Sequence, residues 1–541
     1  MTWDAEYDVV VMGSGVAGLS AALSAHEKGL KAIVCEKADM LGGSTTYSYG
    51  LIWIPRNHLE MAEGYSDNLE DVLRYMRFLG GGQHYEDRIK VFAERCPEAV
   101  SFYANKGGIR FKIVKGIKDF YFGRAEGTRE EGRTIEHCLI SGSELGKWRK
   151  LLLLPDATPF RVTAEEMIGW GGIHTFADWD PKLVRDREAN DELGLGVSLA
   201  AGFIKALADR GVPMRVNSAG ERLIMDGGRV VGLELITGER IRAKKGVMLA
   251  AGGYESNAEL THFFEGLPEC QSKYVDTLTG DAMIMASEQG AAVRKIHNSF
   301  RLHLGFRIPG GGRNDGPAFR SAGIIELCSP HTLVVNRSGR RFANEAYFQS
   351  MAPKLREFDA QKRSYVNLPC FLIFDQNYVE RFSFAGFPPG SAIPEWVERA
   401  DTVEELAQKL DIDPEGLSKT KDLFNRFVDI GNDEDFGRGN ELWKLAEDKH
   451  AAGKNPRLGA LIKPPFYGIE LHPSPAGSAG LDTNVNGQVM HLRRHPMPGL
   501  YASGNSTVHT ETGLGYQPGM TIAAALTFSY LAVQHMATIE A

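Results

Sequence analysis

Tyr7-Asp8-Val9-Val10-Val11-Met12, running without a break into Gly13-Ser14-Gly15-Val16-Ala17-Gly18, decides how this chain folds. The apolar run reads as a buried strand of a parallel sheet, and Leu19, Ala22 and Leu23 repeat beyond it at helical spacing. Strand, glycine turn and helix in that order give GxGxxG its meaning. Gly13 permits the tight turn, Gly15 lets a pyrophosphate approach the backbone, and Gly18 lets the helix pack on the strand. The opening amides of the helix, at Val16 and Ala17, then meet phosphate charge at the positive end of the helix dipole.

A second strand, Lys31 to Cys35, ends at Glu36, eighteen residues beyond Gly18. A carboxylate there accepts hydrogen bonds from both hydroxyls of an unphosphorylated ribose, with Lys37 beside it. Next comes Leu41-Gly42-Gly43-Ser44-Thr45-Thr46, a small-residue turn along which an isoalloxazine and its ribityl chain can pass. An NAD domain has no need of that turn, so the expected cofactor is FAD.

Two further pieces lie far downstream. A β-rich stretch from Val212 to Lys245, containing Ala219, leads into the buried strand Gly246 to Leu249 and the small residues Ala250, Ala251, Gly252 and Gly253. Near the end, Gly499-Leu500-Tyr501-Ala502-Ser503-Gly504-Asn505 repeats the pattern of strand into glycine. The three pieces resemble those of glutathione-reductase-like FAD domains. The expected fold is α/β: a discontinuous Rossmann-type FAD domain, residues 1–295 and 464–541, around an inserted α+β cap domain, 296–463. Within the cap the sequence predicts a loop from Pro309 to Pro317, a strand from Thr332 to Asn336 and a helix from Val403 to Leu410.

Composition narrows the function classes. A chain of 541 residues, 43% hydrophobic, can fill more than one core. A net charge of -8 and no dense Lys/Arg cluster argue against nucleic acid as a partner. The six cysteines show no CxxC pair or His/Cys cluster at ligand spacing, so no metal is expected. With no signal peptide or long apolar span in view, the expected location is the cytoplasm, a membrane surface being reachable only through an apolar substrate. No second GxGxxG follows a strand, so a quinone or another diffusible acceptor is the expected oxidant.

Gly515-Tyr516-Gln517-Pro518-Gly519-Met520-Thr521 leads into an apolar helix from Ile522 to Met536. Its free opening amides, with Thr521 and Ile522, can stabilise negative charge on a flavin pyrimidine and on a substrate enolate. A cleft at the domain junction suits an apolar ligand, with Phe111, Phe120, Phe122, Trp170 and Phe300 as candidate lining. Core packing is the competing use for each of them. His509 lies close to the flavin end and is the weakest candidate.

Along nearly its full length the chain resembles the 3-ketosteroid Δ1-dehydrogenase branch of the fumarate-reductase-like flavoproteins. The resemblance rests on GGST with IWIP (Ile52 to Pro55), LAAGGYESN (Leu249 to Asn257), VVNRSGRRFANE (Val334 to Glu345), FDQNY (Phe374 to Tyr378), DEDFGRGN (Asp433 to Asn440) and GLYASGN. It implies desaturation of a cyclic ketone, by α-proton removal and hydride transfer to flavin N5. It also assigns the ketone-oxygen contacts to Tyr516 and the Gly519 amide, and a further tyrosine to Tyr121. The family's proton-accepting tyrosine falls on Gln349, which cannot act as a base. Tyr347, two residues earlier, or Tyr121 must then take the proton. A smaller cyclohexanone-type substrate is the alternative to a steroid, and an enone or unsaturated-acid reductase is the rival class. That rival usually carries an arginine where Gln349 stands and a histidine where Pro475-Ala476-Gly477-Ser478 stands. The charged DEDFGRGN segment is expected to be a solvated loop.

Overall fold

A computed structural model describes residues 2–155, 160–172, 179–297, 301–310, 318–322, 326–440, 447–448 and 453–539. The decisive strand, Ala5–Met12, lies parallel between Ala32–Cys35 and Arg240–Leu249, with Val9 to Met12 paired against Ala32 to Cys35. Met214–Arg215 extends the sheet beyond Ala32–Cys35, and Pro496–Ala502 pairs in parallel with Arg240–Leu249 on the other side. An antiparallel flap, Gly220–Asp226 and Arg229–Leu235, completes the eight-stranded sheet with Gln488–Met490. Three distant stretches of chain thus build one sheet.

The glycines of the turn meet the stated needs and add one. A β-carbon on Gly18 would lie 2.0 Å from the Gly13 carbonyl oxygen, so the helix Val16–Glu27 can seat only without it. Gly13 has φ +102, and a β-carbon there would lie 2.3 Å from the Ala250 oxygen, because the end of the neighbouring strand crosses close by.

The final helix, Met520–Thr538, packs on Val16–Glu27. Small residues on both, including Ala21, Ala22, Ala524 and Ala525, let the backbones approach, and the Ser529 hydroxyl donates to the Ala17 carbonyl at 2.9 Å. By length and composition this helix could cross a membrane, but most of its residues are buried in the core. Each fully buried Leu or Val side chain there, such as Leu526 or Val533, contributes roughly 1.5–3 kcal/mol of transfer free energy.

The second unit is an antiparallel sheet in the order Ala318–Ser321, Leu302–Ile308, Phe466–Pro475, Cys370–Asp375, Thr332–Asn336, with Glu398–Ala400 also paired to Phe466–Pro475. The boundary expected at 463 therefore falls short, since the strand to Pro475 stands in the middle of this sheet. Periodicity could not show that, because a buried strand looks alike in either domain. The paired strands Val293–Lys295 and Ala479–Leu481 mark where the chain enters and leaves the unit.

DEDFGRGN is not the solvated loop expected. Asp433 is 2% exposed and Arg438 is fully buried. Arg341 bridges Glu345 at 2.7 Å and Asp433 at 2.8 Å, while Arg438 donates to the Thr332 carbonyl at 2.8 Å. Two marker segments, far apart in sequence, are thereby locked to each other by buried charge.

Candidate active site

The nucleotide end is built around Glu36. One carboxylate oxygen accepts from the Ser14 amide at 2.8 Å and the Ser14 hydroxyl at 2.7 Å; the other accepts from the Ala38 amide at 2.8 Å. These bonds fix the carboxylate at the strand end and leave lone pairs for ribose hydroxyls. The backbone on either side of Ala219 closes the same edge, with the Ser218 amide donating to the Glu36 carbonyl at 2.8 Å. Lys37 faces elsewhere: its ammonium pairs with Asp281 at 2.8 Å.

The Val16 amide is likewise already used, by the Thr45 hydroxyl at 2.9 Å. This bond ties the turn Gly43–Tyr47 to the helix start and leaves the Ala17 amide without a partner among the described residues. A β-carbon on Gly15 would meet only that Thr45 hydroxyl, at 3.7 Å, so the backbone is open to a ligand. The Ser44 hydroxyl is buried with no partner among the described residues. An open glycine backbone, a free amide and an orphaned hydroxyl at one helix start fit a pyrophosphate. The residues present therefore suit FAD.

At the other end, Gly252 and Asn505 come together, with the Ser506 hydroxyl donating to the Gly252 carbonyl at 3.0 Å. Gly504 must lack a side chain, because a β-carbon would lie 2.9 Å from that of Ala17. The Ala251 end of its strand and the partly buried Ile522 flank the same region. Arg301 spans the site, donating to the Asn505 side chain at 3.4 Å and to the Thr521 hydroxyl at 2.9 Å. His509 sits behind, 3.0 Å from Asn505 and 2.9 Å from Glu511. Burial lowers its pKa to about 4, so it is neutral and holds Asn505 in place.

Three tyrosines from separate parts of the chain gather around Phe120. Tyr516 stands edge-on to it with ring centroids 4.9 Å apart, Tyr347 stacks on it at 5.5 Å, and Tyr121 lies edge-on at 5.2 Å. Burial raises the pKa of Tyr121, while the nearby Tyr347 side chain and Tyr516 backbone pull it back. Burial also raises Tyr516, helped by electrostatic coupling to Tyr49 and Tyr121. Gln349, at the family's tyrosine position, has both amide atoms buried and without partners among the described residues.

The shape of this cluster depends on residues that the sequence did not single out. Gln517 accepts from the Tyr75 hydroxyl at 2.6 Å and from the Phe120 amide at 2.9 Å, tying the loop before the final helix to the Phe120 segment. Trp53 works from behind: its amide donates to the Gly519 carbonyl at 3.2 Å and its indole to Asp119 at 2.7 Å. Asp119 is held in turn by Arg133 at 2.7 Å. IWIP had marked Trp53, though only as a family signature. Gly519 has φ +84, and a β-carbon there would lie 2.6 Å from the Trp53 amide nitrogen, so only glycine starts the helix here.

Among the described lining candidates only Phe120 has a ring contact with the tyrosine cluster. Phe111 packs against His137, Phe122 lies under Lys118, and Trp170 joins a small apolar cluster that also seats Tyr49. Phe300 lies outside the described residues.

A family model, FAD binding domain, matches residues 8–519. A 4-oxocyclohexanecarboxylate 2-dehydrogenase from Sinomonas cyclohexanicum is 32% identical over 97% of this chain and 92% of its own length. A 3-oxosteroid 1-dehydrogenase from Mycobacterium tuberculosis strain H37Rv is also 32% identical, over 98% of each protein. The crystal structure of 3-ketosteroid Δ1-dehydrogenase from Sterolibacterium denitrificans with 1,4-androstadiene-3,17-dione superposes with a TM-score of 0.86 at 27% identity, covering 98% of this chain and 99% of that one. A flavocytochrome c3 fumarate reductase, at 22% identity and a TM-score of 0.65, shares the fold alone. The chain belongs to the FAD binding domain family, as an FAD-dependent oxidoreductase of the 3-oxosteroid 1-dehydrogenase group.

Proposed function

We propose that the enzyme desaturates a cyclic ketone, removing hydrogen from the carbon next to the carbonyl and from its neighbour. The observation that carries this reading is the meeting of Tyr516, Tyr121 and Tyr347 around Phe120, beside the glycine that opens the final helix. An α proton is too weakly acidic for a side-chain base unless the enolate is stabilised as it forms. The Tyr516 hydroxyl and the Gly519 amide supply two prepositioned donors for the ketone oxygen, each worth on the order of 3 kcal/mol. The helix dipole adds to them.

Tyr121 takes the α proton. Burial raises its pKa, and the neighbouring Tyr347 side chain and Tyr516 backbone oppose that rise and so favour the phenolate. Tyr347 thereby supports the base in place of the missing tyrosine at Gln349. Bound FAD supplies the hydride acceptor, at N5. A quinone or another diffusible acceptor then restores the oxidised cofactor.

Names among the relatives span two sizes of ketone, a 3-oxosteroid and a 4-oxocyclohexanecarboxylate. Anaerobic mixing of the holoenzyme with androst-4-ene-3,17-dione, and separately with 4-oxocyclohexane-1-carboxylate, tests the reading. Flavin absorbance bleaches with at least one of them. An oxidised spectrum that persists with both refutes it.

A further inference from the structure

A buried carboxylate, Glu265, gathers donors from three separate stretches of chain. It ends the helix Ala258–Glu265, on the FAD side of the point where the chain enters the cap, and its side chain is fully buried. One oxygen accepts from the Tyr254 hydroxyl at 2.8 Å and from the Ser478 hydroxyl at 2.7 Å, where the chain leaves the cap. The other accepts from the Arg356 guanidinium at 2.8 Å, and that arginine belongs to the cap. Any shift of the carboxylate would strand a buried donor, so the three stretches are held together.

The contact reaches the tyrosine cluster through one helix. Arg356 stands at the C-cap of the helix Phe348–Leu355, and Tyr347 stands at its N-cap. A second guanidinium nitrogen donates to the Ala352 carbonyl at 3.3 Å, fixing the arginine to its own last turn. At the far end Tyr347 stacks on Phe120 at 5.5 Å and lies edge-on to Tyr121 at 6.5 Å. Met351, Ala352 and Leu355 are buried in the cap core, so the helix moves only as the cap moves. The Tyr365 hydroxyl adds a second tie beside the first, donating to the Gly266 carbonyl. The FAD side thus holds the cap at the end of the very helix that presents Tyr347.

We propose that Arg356, gripped by Glu265, positions Tyr347 against Tyr121, so that the seating of the cap sets the geometry of proton removal. The proposal rests on the desaturase reading above and adds a positioning residue to the same site. Arg356 acts through Tyr347 from the other end of an eight-residue helix. Misplacing a reacting group by about 1 Å costs on the order of 100-fold in rate, so a distant anchor can govern turnover.

The test uses the holoenzyme with whichever ketone, androst-4-ene-3,17-dione or 4-oxocyclohexane-1-carboxylate, bleaches the native flavin. In Arg356→Gln, single-turnover flavin reduction at saturating ketone falls roughly 10- to 100-fold. The ketone Kd, read from the concentration dependence, stays close to native, and Arg356→Lys, which keeps the charge, restores most of the rate. Added to Tyr347→Phe, Arg356→Gln costs less than about twofold more, because the side chain it positions no longer takes part. Losses that multiply in the double variant overturn the proposal, as does a native rate in Arg356→Gln or no recovery with Lys. Glu265→Gln keeps an acceptor for Tyr254 and Ser478 but turns an amide donor toward Arg356. It carries the same comparison if Arg356→Gln fails to fold. A native enzyme inert to both ketones overturns the desaturase reading, whereas multiplying losses in an active enzyme overturn the positioning role alone.

Discussion

Tyr347 stands edge-on to Tyr121, with ring centroids 6.5 Å apart at 82°, and its side chain opposes the rise that burial gives the Tyr121 pKa. The contact repairs a gap in the sequence pattern. Gln349 occupies the position where a proton-accepting tyrosine is expected, yet a second phenol still arrives beside Tyr121. Tyr347 stands at the N-cap position of the helix Phe348–Leu355, with its ring stacked on Phe120.

If Tyr121 accepts the proton, Tyr121→Phe lowers turnover at least 100-fold with FAD retained, the usual scale for losing a general base. Tyr347→Phe acts differently, because it removes a donor to the phenolate. The pH dependence of kcat then shifts toward higher pH. An unmoved profile in the second variant denies Tyr347 its supporting role.

Tyr516→Phe removes one of the two ketone-oxygen donors and leaves the ring against Phe120. Turnover falls roughly 100- to 1000-fold, the scale of one lost oxyanion-hole donor. Single-turnover flavin reduction with the ketone measures it, and native-like reduction rates would remove Tyr516 from the mechanism.

Gly519→Ala tests the helix opening itself. The added carbon would press on the Trp53 amide nitrogen, 2.6 Å away, at φ +84. A strained backbone of this kind costs about 1–3 kcal/mol, so the variant melts about 1–3 °C lower and loses ketone turnover. Native melting together with native turnover is the result that contradicts the geometry.

Glu345→Ala strips a carboxylate from the Arg341 and Asp433 cluster, where Arg341 and Glu345 side chains are 3% and 1% exposed. Removing one partner of a buried ion pair costs about 3–5 kcal/mol, because the two buried guanidiniums of Arg341 and Arg438 then outnumber the carboxylate of Asp433. Denaturant titration of the cap reads this directly. A change under about 1 kcal/mol would mean that the cluster is far better hydrated than its burial implies.

His137 and His509 have pKa values lowered by burial to about 4, against about 6.5 in an unfolded chain. Below about 6.5 the unfolded state takes up these protons and the folded state does not. Stability therefore falls as pH drops from about 6.5 to 4, by roughly 3 kcal/mol for each histidine. Glu511 acts in the same direction at lower pH: against burial, Arg88 and His509 hold it down to about 2. Thermal melting between pH 7 and 4 shows the slope, and His509→Gln makes it shallower. Identical slopes would show that His509 titrates normally.

Much of the fold was legible in one dimension because its cause is local. The strand at Tyr7, the glycine turn and the helix after it follow from burial periodicity and backbone freedom within a dozen residues, and they appear as read. Glu36 was legible because strand length sets its distance from the turn. The cap boundary was not, since the pairing of Phe466–Pro475 depends on partners up to 173 residues away, Leu302 with Pro475. DEDFGRGN misled for a related reason: a charged segment looks solvated until its counter-ions are known, and Arg341 lies in another motif.

By itself, then, the sequence determined the dinucleotide site, the cofactor and the tyrosines available for chemistry, because a residue type and its neighbours suffice for those. Tertiary structure alone decided which side chains meet: Gln517 clamping Phe120, Trp53 bracing Gly519, Tyr347 reaching Tyr121. Such contacts join segments whose separation along the chain carries no information about their distance in space. Only the simultaneous packing of two sheets and the final helix fixes them.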